Sequence, residues 1–262
     1  MELKNKKVLI TGGGTGIGKA IVKELIRHGV KDIAVVGRKE EHLEALKAEL
    51  KPVTILTIKA DVSVVEDINK VVSAITQEWG SLDILINSAG VVSAGLLIEQ
   101  SDEDIIGQIN INLTGLILLT KKLISLLQKS NQGAIVNISS GYGHIAMPFY
   151  SVYAATKAAV AQFSDAIRRE LYQYPLHVMT VYPSATDTGM MKTAVVKKMD
   201  SPEDVAKATI KGLVEKKINV IMGGKEREEQ VKLNFLEPGK FDQIAADNFE
   251  ALRERTKNHR SM

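Results

Sequence analysis

The stretch KVLITGGGTGIGKA, residues 7–20, decides the fold. Lys7 to Thr11 is a short β-branched run that reads as a strand, and from Ile17 onward the apolar positions recur at helical spacing. Between strand and helix stand Gly12, Gly14, Thr15, Gly16 and Gly18. A glycine-rich turn in that position lets backbone N–H groups and the positive end of a helix receive a phosphate. The spacing Gly-x-x-x-Gly-x-Gly departs from the commoner Gly-x-Gly-x-x-Gly. No Lys-Ser or Lys-Thr follows where a nucleotide-hydrolysing loop would carry one. A dinucleotide, not a hydrolysed triphosphate, is the ligand this turn suggests.

Working outward, further short apolar runs lie at 33–37, 53–58, 82–87, 134–139, 177–182 and 219–222. Helical patterns separate them near 17–28, 40–50, 64–78, 101–129, 151–173 and 202–216. Continuous apolar strands suit a sheet covered on both faces, and the alternation of strand and helix implies parallel pairing with right-handed crossovers. The predicted fold is α/β: a Rossmann-type doubly wound parallel sheet of about seven strands with helices on both faces. Ser101 with Asp104, and Ser201 before Pro202, mark helix starts, and His28-Gly29 marks a stop. With no linker or repeat, residues 1–262 read as a single dinucleotide-binding domain, its core about 6–223 and a helical extension about 225–262. Phe241, Ile244, Ala245, Phe249 and Leu252 fall at helical spacing there, predicting one amphipathic terminal helix. An ordinary surface helix is its default place; the alternatives are a cap on a neighbouring pocket and a membrane-surface helix.

Composition narrows the function. At 262 residues, 45% hydrophobic and 25% charged, the chain can bury a sizeable core. It has no cysteine, which excludes disulfides, thiolate metal sites and a cysteine nucleophile, and no metal site is expected. A net charge of +3 spread over the chain does not argue for nucleic acid. The first residues enter a strand-like run too short for a signal peptide, and Ile105 to Leu127 is interrupted by Asn110, Asn112, Thr114, Lys121 and Lys122. That stretch reads as a buried helix rather than a membrane span, and the cytoplasm is the expected compartment.

Ligands of open α/β sheets bind at the carboxyl ends of the strands. After the second strand, where a carboxylate would bind the ribose hydroxyls of NAD, this chain has Arg38 and Lys39. A guanidinium there can hold a 2′-phosphate bidentately, so NADP(H) is the favoured cofactor. Asp61 and Val62 follow the third strand, and Asn87, Ala89 and Gly90 end the fourth. Farther on, YSVYAATKAAV (150–160) holds two tyrosines. Tyr153 and Lys157 stand at i and i+4 on one helix face, whereas Tyr150 has Ala154 in that place.

Taken together, these ordered motifs resemble the short-chain dehydrogenase/reductase family in its shorter, single-domain branch, from about Lys6 to Gly223. The resemblance rests on Thr11-Gly12-x-x-x-Gly16-Ile17-Gly18, Asp61-Val62, Asn87-x-Ala89-Gly90, Asn112, Ser140, Tyr153-x-x-x-Lys157 and Pro183 with Thr188. It implies a catalytic tetrad of Asn112, Ser140, Tyr153 and Lys157, with Ser140 preferred to Ser139 because the family's serine stands thirteen residues before its tyrosine. It also implies cofactor contacts at Gly12, Gly14, Thr15, Gly16, Ile17, Gly18, Arg38, Lys39, Asp61, Val62, Asn87, Ala89, Gly90, Tyr153, Lys157, Pro183, Thr186 and Thr188. The chain departs from the family with Ser88 in place of a second asparagine and Ser184 in place of glycine. Ser184 matters only if that backbone requires a positive φ.

The resemblance implies reduction of a ketone or aldehyde by hydride transfer, with Tyr153 as proton donor, and a homodimer or homotetramer formed through the helices of 105–127 and 152–171. A tyrosine titrates near ~10. An ammonium about 4 Å from its oxygen would lower that by a few units, so Lys157 is expected to acidify Tyr153. In the same scheme Asn112 orders a water that links Lys157 to solvent. The loops above the strands carry Leu96, Leu97, Met147, Phe149, Tyr150, Met190, Met191, Val195 and Val196. They read either as an apolar pocket for a hydrophobic carbonyl compound or as lid packing. An NAD-dependent alcohol or hydroxysteroid-type dehydrogenase is the rival enzyme reading, and a non-enzymatic NADPH-binding protein the rival from another class.

Overall fold

The computed structural model describes residues 1–196 and 198–262. Seven strands, β1 (Lys7–Thr11), β2 (Asp32–Gly37), β3 (Leu56–Lys59), β4 (Ile84–Asn87), β5 (Gly133–Ile138), β6 (Leu176–Tyr182) and β7 (Asn219–Ile221), form one parallel sheet in the order β3-β2-β1-β4-β5-β6-β7. The chain builds outward from β1 to β3, then returns to place β4 on the other side of β1. That reversal opens a crevice above the carboxyl ends of β1 and β4, the place where such sheets bind ligands.

The continuous apolar strands serve two covers at once. On β1, Val8 and Ile10 pack beneath one layer with Ile21, Val22 and Leu25 of α1 (Gly16–Arg27) and Leu43 and Leu46 of α2 (Glu40–Glu49). Leu9 faces the opposite layer, with Ile68, Val71 and Ile75 of α3 (Val65–Trp79). The predicted helix 101–129 is two helices, α4 (Asp102–Ile109) and α5 (Gly115–Leu127), joined by a π-helical turn at Asn110–Thr114. By length and composition 102–127 would suffice to cross a membrane, yet Leu119, Leu123, Leu126 and Leu127 are buried against the sheet. α6 (Ser151–Glu170) completes that layer through Ile167, and α7 (Pro202–Val214) completes the other through Val205, Ile210 and Leu213.

The expected starts and stops are in place. Ser101 and Ser201 accept the N–H of Asp104 and Asp204, Pro202 sits in the first turn of α7, and Gly29 adopts a left-handed φ of 81° just past α1.

The C-terminal region differs from the single helix predicted. It forms three, α8 (Gly224–Leu236), α9 (Pro238–Asp247) and α10 (Phe249–Thr256), broken where Pro238 and Asn248 interrupt the pattern. Residues beyond α10 then run back over the crevice. Ser261 donates its N–H to the Val92 carbonyl at 2.8 Å, Ala94 donates to the His259 carbonyl at 2.9 Å, and Arg260 grips Asp104 with two bonds of 2.8 Å. The segment is therefore a wall of the crevice and not an ordinary surface helix.

Candidate active site

The crevice holds a cavity of about 970 Å³ that runs from the glycine turn to the C-terminal wall. At one end the turn is held by Thr11, whose hydroxyl accepts the N–H groups of Ser88 and Ala89 at 3.1 Å each. Gly12 has φ 67°, and a Cβ on it would stand 2.9 Å from the Ala89 Cα. A Cβ on Gly18 would fall 2.2 Å from the Gly12 carbonyl oxygen, so only glycine lets α1 begin this close to β1. Thr15 is the N-cap of α1, but its side chain caps nothing. The first N–H groups of the helix thus face the cavity with no side chain satisfying them, which suits a phosphate.

Gly14, Thr15, Gly16, Ile17, Arg38, Lys39, Asp61, Val62, Ala89 and Gly90 all line this cavity, as do Pro183, Thr186 and Thr188. Arg38 and Lys39 are exposed at the end of β2 and make no ion pair among the described residues. This donor set fits an NADP-type dinucleotide: uncapped helix N–H groups for the pyrophosphate and a free guanidinium beside them for a further phosphate.

Not every expected residue reaches the cavity. Asn87 is 3% exposed, donating to Thr120 at 3.1 Å and to Asn137 at 2.8 Å, and it stands behind the lining. Its work is to tie the ends of β4 and β5 to α5. Asn112, on the π-helical turn, also lies behind the wall. Its Oδ1 accepts the Val91 N–H at 2.8 Å and its Nδ2 donates to the Val91 carbonyl at 2.9 Å and to Thr156 at 3.1 Å. It touches the site indirectly, since a Cβ on Gly90 would meet its Oδ1 at 3.3 Å and the Lys157 Nζ at 3.4 Å.

Ser140, Tyr153 and Lys157 share the middle of the cavity. Ser139 is spent elsewhere, donating to the Lys157 carbonyl at 2.7 Å, while the Ser140 hydroxyl faces inward and accepts the Tyr142 N–H at 3.2 Å. Tyr150 is 1% exposed, and its hydroxyl lies 2.8 Å from Nδ1 of His259, whose Nε2 is 3.0 Å from the Met190 carbonyl. It locks the C-terminal wall to α6. The Lys157 ammonium donates to the Ile138 carbonyl at 3.0 Å. Ser184 is not among the residues with a positive φ, so its replacement of glycine leaves no strain.

The electrostatics depart from expectation. Burial pushes the Tyr153 phenol up to about 12, opposed by the Ser140 hydroxyl beside it. Burial likewise brings Lys157 down to about 8. Burial dominates both shifts: the two groups lose water in the same enclosure, and the lysine is anchored on a backbone carbonyl.

Of the apolar loop residues, Tyr150, Met190 and Met191 line the cavity, joined by Tyr142 and Met222. Leu97 is 60% exposed and Val195 74% exposed, and Phe149 packs on Phe249 of α10 with ring centres 5.0 Å apart. Leu96, Met147 and Val196 stand outside the lining too. Sequence reasoning missed Arg227, Arg255 and His259, which enter the lining from α8, α10 and the returning tail.

Residues 6–199 match the family described as short chain dehydrogenase. The chain belongs to the short-chain dehydrogenase family. Within it, a Bos taurus protein named dehydrogenase/reductase SDR family member 7B is 31% identical over 98% of this chain and 85% of its own length. An NADP-dependent 3-hydroxy acid dehydrogenase of Schizosaccharomyces pombe is 30% identical over 71% of this chain and 74% of its own. Among solved structures, a short chain dehydrogenase from Burkholderia cenocepacia in complex with NADP superposes with a TM-score of 0.82 at 23% identity, covering 94% of this chain and 99% of that one. As a short-chain dehydrogenase the chain is an oxidoreductase acting between CH–OH and C=O groups.

Proposed function

We propose that this short-chain dehydrogenase is an NADPH-dependent reductase of ketones or aldehydes. The observation that carries the reading is the placement of Ser140, Tyr153 and Lys157 in the same cavity as the uncapped start of α1 and the unpaired Arg38. The bound dinucleotide supplies the hydride. Ser140 and Tyr153 receive the substrate oxygen, and Tyr153 gives it a proton. A phenol held near 12 is fully protonated at neutral pH, and it is still far more acidic than an alcohol, whose conjugate base is about as strong as hydroxide, near ~16. Proton donation to the forming alkoxide is therefore downhill without prior acidification, which favours the reductive direction. Lys157, on the Ile138 carbonyl, holds positive charge at the floor of the site.

The NADP(H) assignment is supported by Arg38 and Lys39 and accords with the name of the yeast relative. Turnover is tested by following NADPH oxidation with ketones, aldehydes, quinones and 3-oxoacyl thioesters, with Tyr153→Phe as control. No oxidation with any of them would refute the reading. A homo-oligomer is part of the proposal: Ile106 and Ile109 leave 56% and 39% of their surface exposed on α4, an apolar face suited to a second copy. Light scattering of the purified protein reads that state directly.

A further inference from the structure

Two arginines that the reaction does not use enter the cavity from the C-terminal helices. Arg227 of α8 donates through Nη2 to the Gly141 carbonyl at 3.2 Å and through Nη1 to Gln230 at 3.0 Å. Arg255 of α10 has a buried Nε with no hydrogen-bond partner among the described residues. The ion pairs that other arginines form with Glu24, Asp165, Glu250 and Asp104 have no counterpart at either position. Burial raises the pKa of the Tyr142 phenol and both guanidinium charges oppose that rise, and the Tyr142 ring stands edge-on to Tyr153 with centres 6.3 Å apart. Among the described residues the one side-chain carboxylate in the lining, Asp61, follows β3 at the dinucleotide end.

A half-buried cation with no counter-charge is unfavourable unless a ligand brings the anion. Two such cations on one wall, with guanidinium N–H groups to spare beyond the bonds already made, match a carboxylate. Their position sets the reach: Arg227 is bonded to the residue that follows Ser140, so an anion held there lies only a few bonds from a carbonyl held by Ser140 and Tyr153.

We propose that Arg227 and Arg255 form an anion subsite and that the substrate is a short oxo acid, its carboxylate on the guanidinium groups and its ketone oxygen on Ser140 and Tyr153. This rests on the reductase reading above. The reaction balances without the carboxylate taking part. A bound nicotinamide would supply the hydride to the carbonyl carbon and be oxidised in doing so, the C=O π pair forms the new O–H bond with the Tyr153 proton, Tyr153 recovers a proton from solvent, and the product is a hydroxy acid.

The test compares acetoacetate and 4-oxopentanoate with their methyl esters as substrates, using the full chain with NADPH. At least one acid is expected to exceed its ester by tenfold or more in kcat/KM, the difference lying in KM. In Arg227→Gln and Arg255→Gln that ratio falls toward one, and Arg255→Lys restores part of it. A second readout needs no turnover: butanoate titrated calorimetrically into the NADPH complex binds saturably, and at least tenfold more weakly in either glutamine variant. Arginine-dependent butanoate binding in a protein that reduces no carbonyl compound would uphold the subsite and sink only the reductase reading. Acids and esters turned over alike, butanoate binding indifferent to both variants, or inorganic phosphate binding more tightly than butanoate would overturn the oxo-acid assignment.

Discussion

The Lys157 ammonium is fixed on the Ile138 carbonyl, 3.0 Å away, and stands 5.7 Å from the centre of the Tyr153 ring. The two side chains occupy one face of α6, one turn apart, yet burial dominates both titrations. In the proposed reaction the lysine would act on the charge that develops on the substrate more than on the resting phenol.

Removing the proton donor separates chemistry from binding. Tyr153→Phe is expected to lower kcat by about 10²–10⁴, the usual contribution of a general acid. NADPH affinity, measured by fluorescence titration, should change by less than about threefold, since the phosphate-binding groups at the glycine turn and Arg38 are left intact.

Arg38→Ala tests the cofactor assignment. Loss of a charge-assisted bond to a phosphate costs about 1.5–3 kcal/mol, so NADPH should bind roughly 10- to 100-fold more weakly while NADH is nearly unaffected. Equal weakening of both dinucleotides would remove the phosphate-reading role.

Gly90→Ala probes the link between Asn112 and Lys157. The added methyl would crowd the Asn112 Oδ1 at 3.3 Å and make an ordinary contact with the Lys157 Nζ at 3.4 Å. We expect a loss of about 1–2 kcal/mol in stability by chemical denaturation and a fall in kcat, because Asn112 must shift to admit the methyl.

Stability should depend on pH in a way that identifies Lys157. Its folded pKa, about 8, lies below the unfolded value of ~10.4, so between those limits the unfolded chain binds more protons and stability rises with pH. Tyr153, raised to about 12, acts oppositely: between ~10 and 12 the folded state holds the extra proton and stability falls as pH rises. Denaturant midpoints measured from about pH 8 to 10 should climb, and Lys157→Met should flatten the climb.

Tyr150→Phe leaves Nδ1 of buried His259 without its 2.8 Å partner. The expected cost is about 1–3 kcal/mol of stability, read as a lower denaturant midpoint. The effect on kcat should be far smaller than that of Tyr153→Phe.

Much of this was legible because it is encoded locally. β-branched runs set six strands to within a residue or two at each end, and the seventh, β3, begins at Leu56 rather than 53 because Val53 is drawn into a turn with Leu50. The i, i+4 register singled out Tyr153 and Lys157 without any tertiary knowledge. The π-helical turn was invisible, since one surplus residue in an apolar helix leaves no mark in propensity. The burial of Asn87 and Asn112 behind the wall depends on Thr120, Asn137, Val91 and Thr156, distant partners that no spacing rule connects. Arg227, Arg255 and His259 were hidden for the same reason. Their helices carry almost no buried residues, and only the fold-back of the tail brings these side chains to the crevice.

The family match ends at residue 199, whereas the guanidinium wall comes from 224–262. The crevice therefore has two parts: the strand ends and α6, which carry Ser140, Tyr153 and Lys157, and the tail laid across its mouth, which in the oxo-acid proposal would select the substrate. The tail is held by backbone bonds at Val92 and Ala94 and by the side chains of Arg260 on Asp104 and His259 on Tyr150, so a graft that exchanges it between relatives must carry Asp104 and Tyr150 with it.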